Sequence, residues 1–198
     1  MKYVKILGLL AVAAALMAFA GTASATTVTS PVGTSYGTEK TLHATAGLTE
    51  LHGEAFSVNC KTSTVAGKIE VNGAKDGSGN TLPASGPIST LDFSECSFPV
   101  TVTANGSLSA TGTSGGNGTL KSTGAKVTIH GPFGINCLYE TNNTDVGSLT
   151  GSTTTKGTAK LDIDSSLIPR TGDSIFCGSF GEWTGSYTVT TPDEADID

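Results

Sequence analysis

One run of residues occurs twice in this chain, 78 positions apart. The first copy reads Thr41-Leu42, Leu51-His52-Gly53 and Phe56-Ser57-Val58-Asn59-Cys60. The second reads Thr119-Leu120, Ile129-His130-Gly131 and Phe133-Gly134-Ile135-Asn136-Cys137, the offset falling to 77 after the His-Gly pair. Each copy ends on a later cysteine, Cys96 or Cys177. Self-similarity at a fixed period signals a duplicated supersecondary unit, and it limits the fold before any residue-level reading. It also bears on chemistry. His52 and His130 occupy equivalent positions, so a catalytic role for one implies two active sites. A scaffold role, each ring hydrogen-bonded at its turn, fits the repetition better. His43 stands where the second copy has Lys121 and is expected to face solvent.

Between the repeated words, threonine alternates with apolar residues. Examples are Thr27-Val28-Thr29, Val100-Thr101-Val102-Thr103, Lys126-Val127-Thr128-Ile129, Lys160-Leu161-Asp162-Ile163-Asp164 and Tyr187-Thr188-Val189-Thr190. Period-2 alternation with β-branched residues marks half-buried strands. No sustained 3.6-residue apolar pattern follows the first 25 residues, so helix is not expected there. Asn72-Gly73, Asp76-Gly77, Asn105-Gly106, Asn117-Gly118 and Thr171-Gly172-Asp173 supply turn signals. Segments 74–85 and 110–118 read as longer loops, the second as a Gly/Ser linker between the copies. The expected fold is all-β, an antiparallel sandwich or barrel-like domain built from two duplicated units and preceded by a cleaved signal helix. Residues 26–116 form the first unit and 117–191 the second, with an acidic, disordered, solubilising tail over 192–198. One sandwich is preferred to two tandem barrels, because a unit of about 75 residues has a thin core alone.

Residues 1–25 read as a secretory leader: Lys2 and Lys5, the apolar run Ile6 to Ala20, then the small-x-small site Ala23-Ser24-Ala25. The apolar run is short for a membrane span. Removing 25 of 198 residues leaves 173 and takes away two lysines, so the net charge moves from −6 to −8. An acidic chain with no basic patch disfavours nucleic acid and anionic membrane as partners. Four cysteines in an exported chain read as two disulfides. The duplication favours Cys60–Cys96 and Cys137–Cys177, one staple per unit; crossed pairings are the alternatives. Neither Cys-x-x-Cys nor Cys/His ligand spacing is present, so redox and metal roles for the cysteines are disfavoured.

Other candidate chemistry is weak. Gly112-Thr113-Ser114-Gly115-Gly116 resembles the Gly-Asp-Ser-Gly-Gly nucleophile motif of chymotrypsin-like proteases, and His52, Asp92 and Ser114 follow that family's order. It departs at the aspartate position, and 62 residues from His52 to Ser114 are too few for two six-stranded barrels. Asp92, Glu95, Glu140, Asp162 and Glu182 offer carboxylates for glycoside cleavage, and nothing singles out two of them. Asp162 and Asp164 share a strand face but lack the glycine-punctuated loop of a calcium site. Irregular Thr-x-Thr spacing argues against an ice-binding face. Trp183 and Tyr187 share one strand face and form the candidate ligand platform for stacking on a sugar. The favoured reading instead places Trp183 in the core of the second unit, covering the Cys137–Cys177 bridge.

Several stretches together resemble a family of small secreted Thr/Gly-rich β-proteins of high-GC Gram-positive bacteria. They are Ala18-Phe19-Ala20-Gly21-Thr22-Ala23-Ser24-Ala25, Phe93-Ser94-Glu95-Cys96, Thr141-Asn142-Asn143-Thr144-Asp145, Ile168-Pro169-Arg170-Thr171-Gly172 and Trp183-Thr184-Gly185-Ser186-Tyr187-Thr188-Val189-Thr190. The resemblance implies export and names no functional residue. The expected function is a secreted, non-enzymatic structural or interaction module without a cofactor, its partner a cell-wall glycan or another surface protein. The alternatives are a carbohydrate-binding module using Trp183 and Tyr187, and a secreted hydrolase.

Overall fold

Threonine-rich alternating runs supply most of the strands. The computed structural model describes residues 26–30, 34–53, 56–113, 116–151, 159–169, 175–178, 180–192 and 195–197. The leader, Ser114 and the turn signal at Thr171 to Asp173 lie outside these. In chain order the strands are β1 (Val28–Thr29), β2 (Thr41–Gly53), β3 (Ser57–Lys68), β4 (Ala84–Cys96), β5 (Val100–Ala104), β6 (Ser107–Gly112), β7 (Asn117–Thr123), β8 (Lys126–His130), β9 (Asn136–Glu140), β10 (Thr144–Thr150), β11 (Lys160–Pro169), β12 (Gly181–Thr191) and β13 (Asp196–Ile197). Helical geometry among the described residues is confined to short 3-10 turns at Pro132–Gly134 and Ile175–Cys177.

Eight strands close into an antiparallel barrel, not a sandwich. They follow one another round the ring in chain order: β2, β3, β4, β6, β7, β10, β11, β12, with β12 pairing back onto β2. Closure removes the unpaired edges that open sheets must protect. The stretch 110–118, read from its composition as a linker, is mostly ladder. Ala110 to Gly112 lie in β6, Asn117 and Gly118 lie in β7, and the strands pair through Gly112↔Gly118. The barrel seam needs those backbone groups, so pairing overrides the flexible composition.

At one end the barrel opens into a second, smaller sheet. The hairpin β7–β8/β9–β10 bends at Gly124 (φ 77°) and Asn143 (φ 53°), both in the left-handed region that favours Gly and Asn. The Thr141 hydroxyl fixes the bend, accepting from Ala125 N–H (3.0 Å) and meeting Ser122 Oγ at 2.9 Å inside the protein. Beyond it, β8 and β9 leave the barrel and build a sheet with β5 and the end of β11. Both disulfides staple this end. Cys60–Cys96 joins directly opposed residues of β3 and β4, and Cys137–Cys177 ties β9 to the 3-10 turn before β12.

The interior is filled unevenly. Toward the stapled end, Trp183 packs edge-on against Phe93 (5.7 Å) and Tyr187 (6.1 Å), and buried Tyr139 donates its hydroxyl to Cys177 O (3.0 Å). Toward the other end the inward residues are small or aliphatic: Leu42, Ala44, Val65, Leu149, Leu161 and Val189 among them. They leave a cavity of about 110 Å³. At about 24 cal/mol per Å³, such a void forgoes roughly 2–3 kcal/mol of packing.

The two ends of the described chain cover that cavity. β1 and β13 pair antiparallel through Val28↔Ile197 and Thr29↔Asp196, and Val28 and Ala195 line the void. The tail is therefore not a free acidic extension at this point. Ala195 and Asp196 are buried, because β1 offers backbone groups that β13 satisfies. Asn72 holds the strap down. Its Oδ1 accepts from Val28 N–H (2.7 Å), and its Nδ2 donates to Val28 O (3.1 Å) and Tyr36 O (2.6 Å).

Candidate functional site

Alternation places Trp183 and Tyr187 on one face of β12, and that face is the barrel lumen. Trp183 is 5% exposed and Tyr187 0%. The rings therefore form an interior wall, as the core reading of Trp183 expects, and not a stacking platform. Period 2 says that two residues share a face but not which side it turns to. A sugar cannot reach rings sealed in this way.

The repeated histidines behave alike. His52 Nδ1 is hydrogen-bonded to Ser57 Oγ, its opposite number in the β2–β3 ladder. His130 Nδ1 meets Asn136 Oδ1 at 2.6 Å, again its direct partner in the β8–β9 ladder. Each ring thus bridges the first pair of a hairpin. Glu182 stands opposite His52 in the neighbouring strand, which lines up Ser57, His52 and Glu182. The serine, however, takes Nδ1, the nitrogen that a catalytic triad gives to its carboxylate. His43 is half-buried, with Nδ1 2.8 Å from Thr190 Oγ1, so its expected solvent-facing position is only partly exposed.

His130 has a second partner: Thr101 Oγ1 lies 3.0 Å from its Nε2. Thr101, His130 and Asn136 reproduce the order of nucleophile, base and orienting group. The nearby backbone donors are already committed. His130 N–H goes to Pro99 O (2.9 Å), Gly131 N–H to Ile135 O (2.7 Å), and Pro132 has none. Residues 130 to 132 therefore offer no free N–H to a developing oxyanion.

The carboxylates are dispersed. Glu95 pairs with Lys61 (2.8 Å) and Glu140 with Lys126 (3.4 Å). Asp92 accepts from Ser94 Oγ (2.5 Å) and Asp162 from Ser186 Oγ (2.6 Å). Asp164 is exposed on β11. Among the described residues no three His, Cys, Asp or Glu gather as metal ligands.

The sequence reading missed the phenylalanines. Phe133, Phe176 and Phe180 are all exposed, Phe133 completely. The Cys137–Cys177 bridge brings their segments to the stapled end: Phe133 in the turn joining β8 to β9, Phe176 beside Cys177, and Phe180 just before β12. Their nearest structural counterpart behaves differently. Phe56, the repeat equivalent of Phe133, is half-buried against Phe98 (6.1 Å) and covers Gly131 so closely that a Cβ there would meet its ring at 2.6 Å. Phe133 also sits at φ 59°, a rare and costly conformation for a bulky side chain. The signal was available in Pro132-Phe133-Gly134, where an apolar ring sits between two turn formers.

No family model matches this chain, and neither a curated protein nor a solved structure matches it. What the site can do rests on its own geometry.

Proposed function

We propose that this chain is an exported, non-enzymatic binding module that docks on another extracellular protein through the phenylalanine-bearing end of its barrel. One observation carries the reading: Phe133 projects its whole ring into solvent from a strained turn, while its repeat equivalent is packed. Strain of this kind is kept where surrounding structure holds a side chain for use. Exposed apolar groups bounded by polar surface mark interaction sites. Residues 131–139 carry no charge, so an apolar recess on a protein suits this tip better than a charged partner.

Export is supported by the leader pattern and by two disulfides, which persist in oxidising compartments. The internal repeat is part of the same reading. β2, β3, β4 and β6 are followed round the barrel by β7, β10, β11 and β12, two sets of four in the same order. A copied four-strand half, each half with its own disulfide, accounts for this.

The test uses the mature protein with a photo-reactive phenylalanine analogue at position 133 or, as a control, at position 48, applied to the surface proteins of producing cells. A discrete adduct at 133 but not 48, and at least tenfold lower retention of Phe133→Ser with unchanged Tm, are expected. Equal retention of Phe133→Ser would overturn the reading, as would retention on purified cell-wall glycan that ignores the substitution.

A further inference from the structure

We infer that the cavity under the strap is a binding site for the end of a hydrocarbon chain, independent of the phenylalanine end. The barrel places these two features at opposite ends. The cavity lies where β2 begins and β3 finishes, and Phe56, Phe98 and Phe133 lie where β2 finishes and β3 begins. Each end would therefore engage its own ligand.

The lining defines the ligand class. Apart from His43, Lys68 and Ser85 it is built by aliphatic residues, glycine and proline from several strands, with no Phe, Tyr or Trp among its members. An eight-stranded barrel either fills its interior with side chains or holds one small molecule there. This chain does the first at the stapled end, with Trp183, Tyr187, Tyr139 and Phe93. At the strap end it places Ala44, Ala84 and Ala110, and packing stops short. A void with apolar walls gives water no hydrogen-bonding partner and stays dry. Its volume, about 110 Å³, approaches that of an engineered cavity of about 150 Å³ that takes up benzene or xenon. Whole drug-sized ligands need about 300 Å³ or more. The terminal carbons of an alkyl chain fit; a fused ring system does not.

The strap supplies the entrance. Val28, Ile69 and Ala84, with Tyr36 and Leu42 against them, form a small cluster apart from the barrel core. β1 and β13 share just two residue pairs. Val28 O also accepts from Tyr36 N–H (3.0 Å) and Ser30 N–H donates to Thr34 O (2.9 Å), so opening carries Tyr36 along with β1 while the ladder beneath stays folded. Asn72 is the latch, since its side chain grips Val28 on both backbone groups. Lifting Val28 and Ala195 removes the roof while the eight-stranded wall stays shut.

The experiment titrates the mature protein with 1-octanol, and separately with octanoate, while methyl NMR signals are followed. The two probes share a chain and differ in headgroup, so they separate an alcohol-like from a fatty-acid-like source. Saturable shifts confined to Leu42, Val65, Leu149, Leu161 and Val189 are expected with at least one probe. Ala110→Leu, which fills the void, should weaken binding tenfold or more; Ala44→Val is the second filling variant should the first fail to fold. Asn72→Ala should speed ligand release severalfold. Phe133→Ser should leave the titration unchanged, so failure here and failure of the docking reading are distinguishable. Linear, unsaturable shifts with both probes, or the same affinity in a folded filling variant, would overturn the inference.

Discussion

Tyr187 and Ser63, 124 residues apart, are joined across the lumen by a 2.8 Å hydrogen bond from the tyrosine hydroxyl to Ser63 Oγ. Ser63 in turn donates to Asp92 O at 2.7 Å, so one serine links β12, β3 and β4. The link is asymmetric. Ser63→Ala leaves a buried phenol without its acceptor and is expected to cost about 1–3 kcal/mol. Tyr187→Phe removes the donor but leaves Ser63 its bond to Asp92, and should cost about 1 kcal/mol or less. Urea unfolding of both variants checks the order.

The same phenol makes stability fall in alkali. Burial pushes Tyr187 up to about 12, with the Ser63 hydrogen bond pulling the other way. In the unfolded chain a tyrosine titrates near 10. Below pH 10 both states hold the proton and the full stability remains. Between about 10 and 12 the unfolded chain has released a proton that the folded protein keeps, so stability declines as pH rises through that window. The total decline from this group is on the order of 3 kcal/mol. Tyr187→Phe should flatten that part of the profile, followed by urea midpoints from pH 9 to 12.

The two disulfides should contribute separately. Cys60–Cys96 spans 36 residues and Cys137–Cys177 spans 40. On the loop-entropy account each stabilises by roughly 4 kcal/mol, an upper figure because the reduced chain keeps some structure. Replacing either cysteine pair with alanines should lower stability by about 2–4 kcal/mol. Peptide mapping of the unreduced double variant should find the other bridge intact.

Strand positions were legible because they depend on local chemistry. Alternation located Val100–Ala104, Lys126–His130 and the flanks of β11 and β12, and Asn105-Gly106 does turn between β5 and β6. Closure was not legible, since β12–β2 joins residues more than 120 positions apart and nothing local encodes it. The same gap explains the Gly/Ser stretch that became ladder and the Asp-rich tail that became β13. It also explains Trp183 and Tyr187: their shared face was readable, but the barrel decided that it points inward. Phe133 is the opposite case. An apolar residue reads as core by default, and its exposure follows from the bend at Gly124 and Asn143, which carries the β8–β9 hairpin out of the barrel.

Stability and docking should separate at Phe133. The ring touches no core, so Phe133→Ser is expected to change stability by less than about 0.5 kcal/mol. Phe133→Gly removes a bulky side chain from a left-handed conformation and should be neutral or stabilising by up to about 1 kcal/mol. Phe56→Ala, which uncovers Gly131 and Phe98, should cost more than either. Thermal and urea unfolding of the three variants would show this order. A large loss for Phe133→Ser would mean the ring is structural after all.

The two halves of the lumen should answer oppositely to changes in volume. Trp183 is enclosed by Phe93 and Tyr187, so Trp183→Ala opens a hole that rigid strands cannot close and is expected to cost about 3–5 kcal/mol. At the strap end the hole already exists. Ala44 is buried on the cavity wall, and Ala44→Val places two methyl carbons in space that no atom occupies. The usual overpacking penalty of about 1–3 kcal/mol is then absent, and a gain of about 0.5–1.5 kcal/mol is expected from apolar burial. Urea midpoints for the two variants measure both effects. A destabilised Ala44→Val would show that the strap end is already tightly packed and that no chain end can enter it.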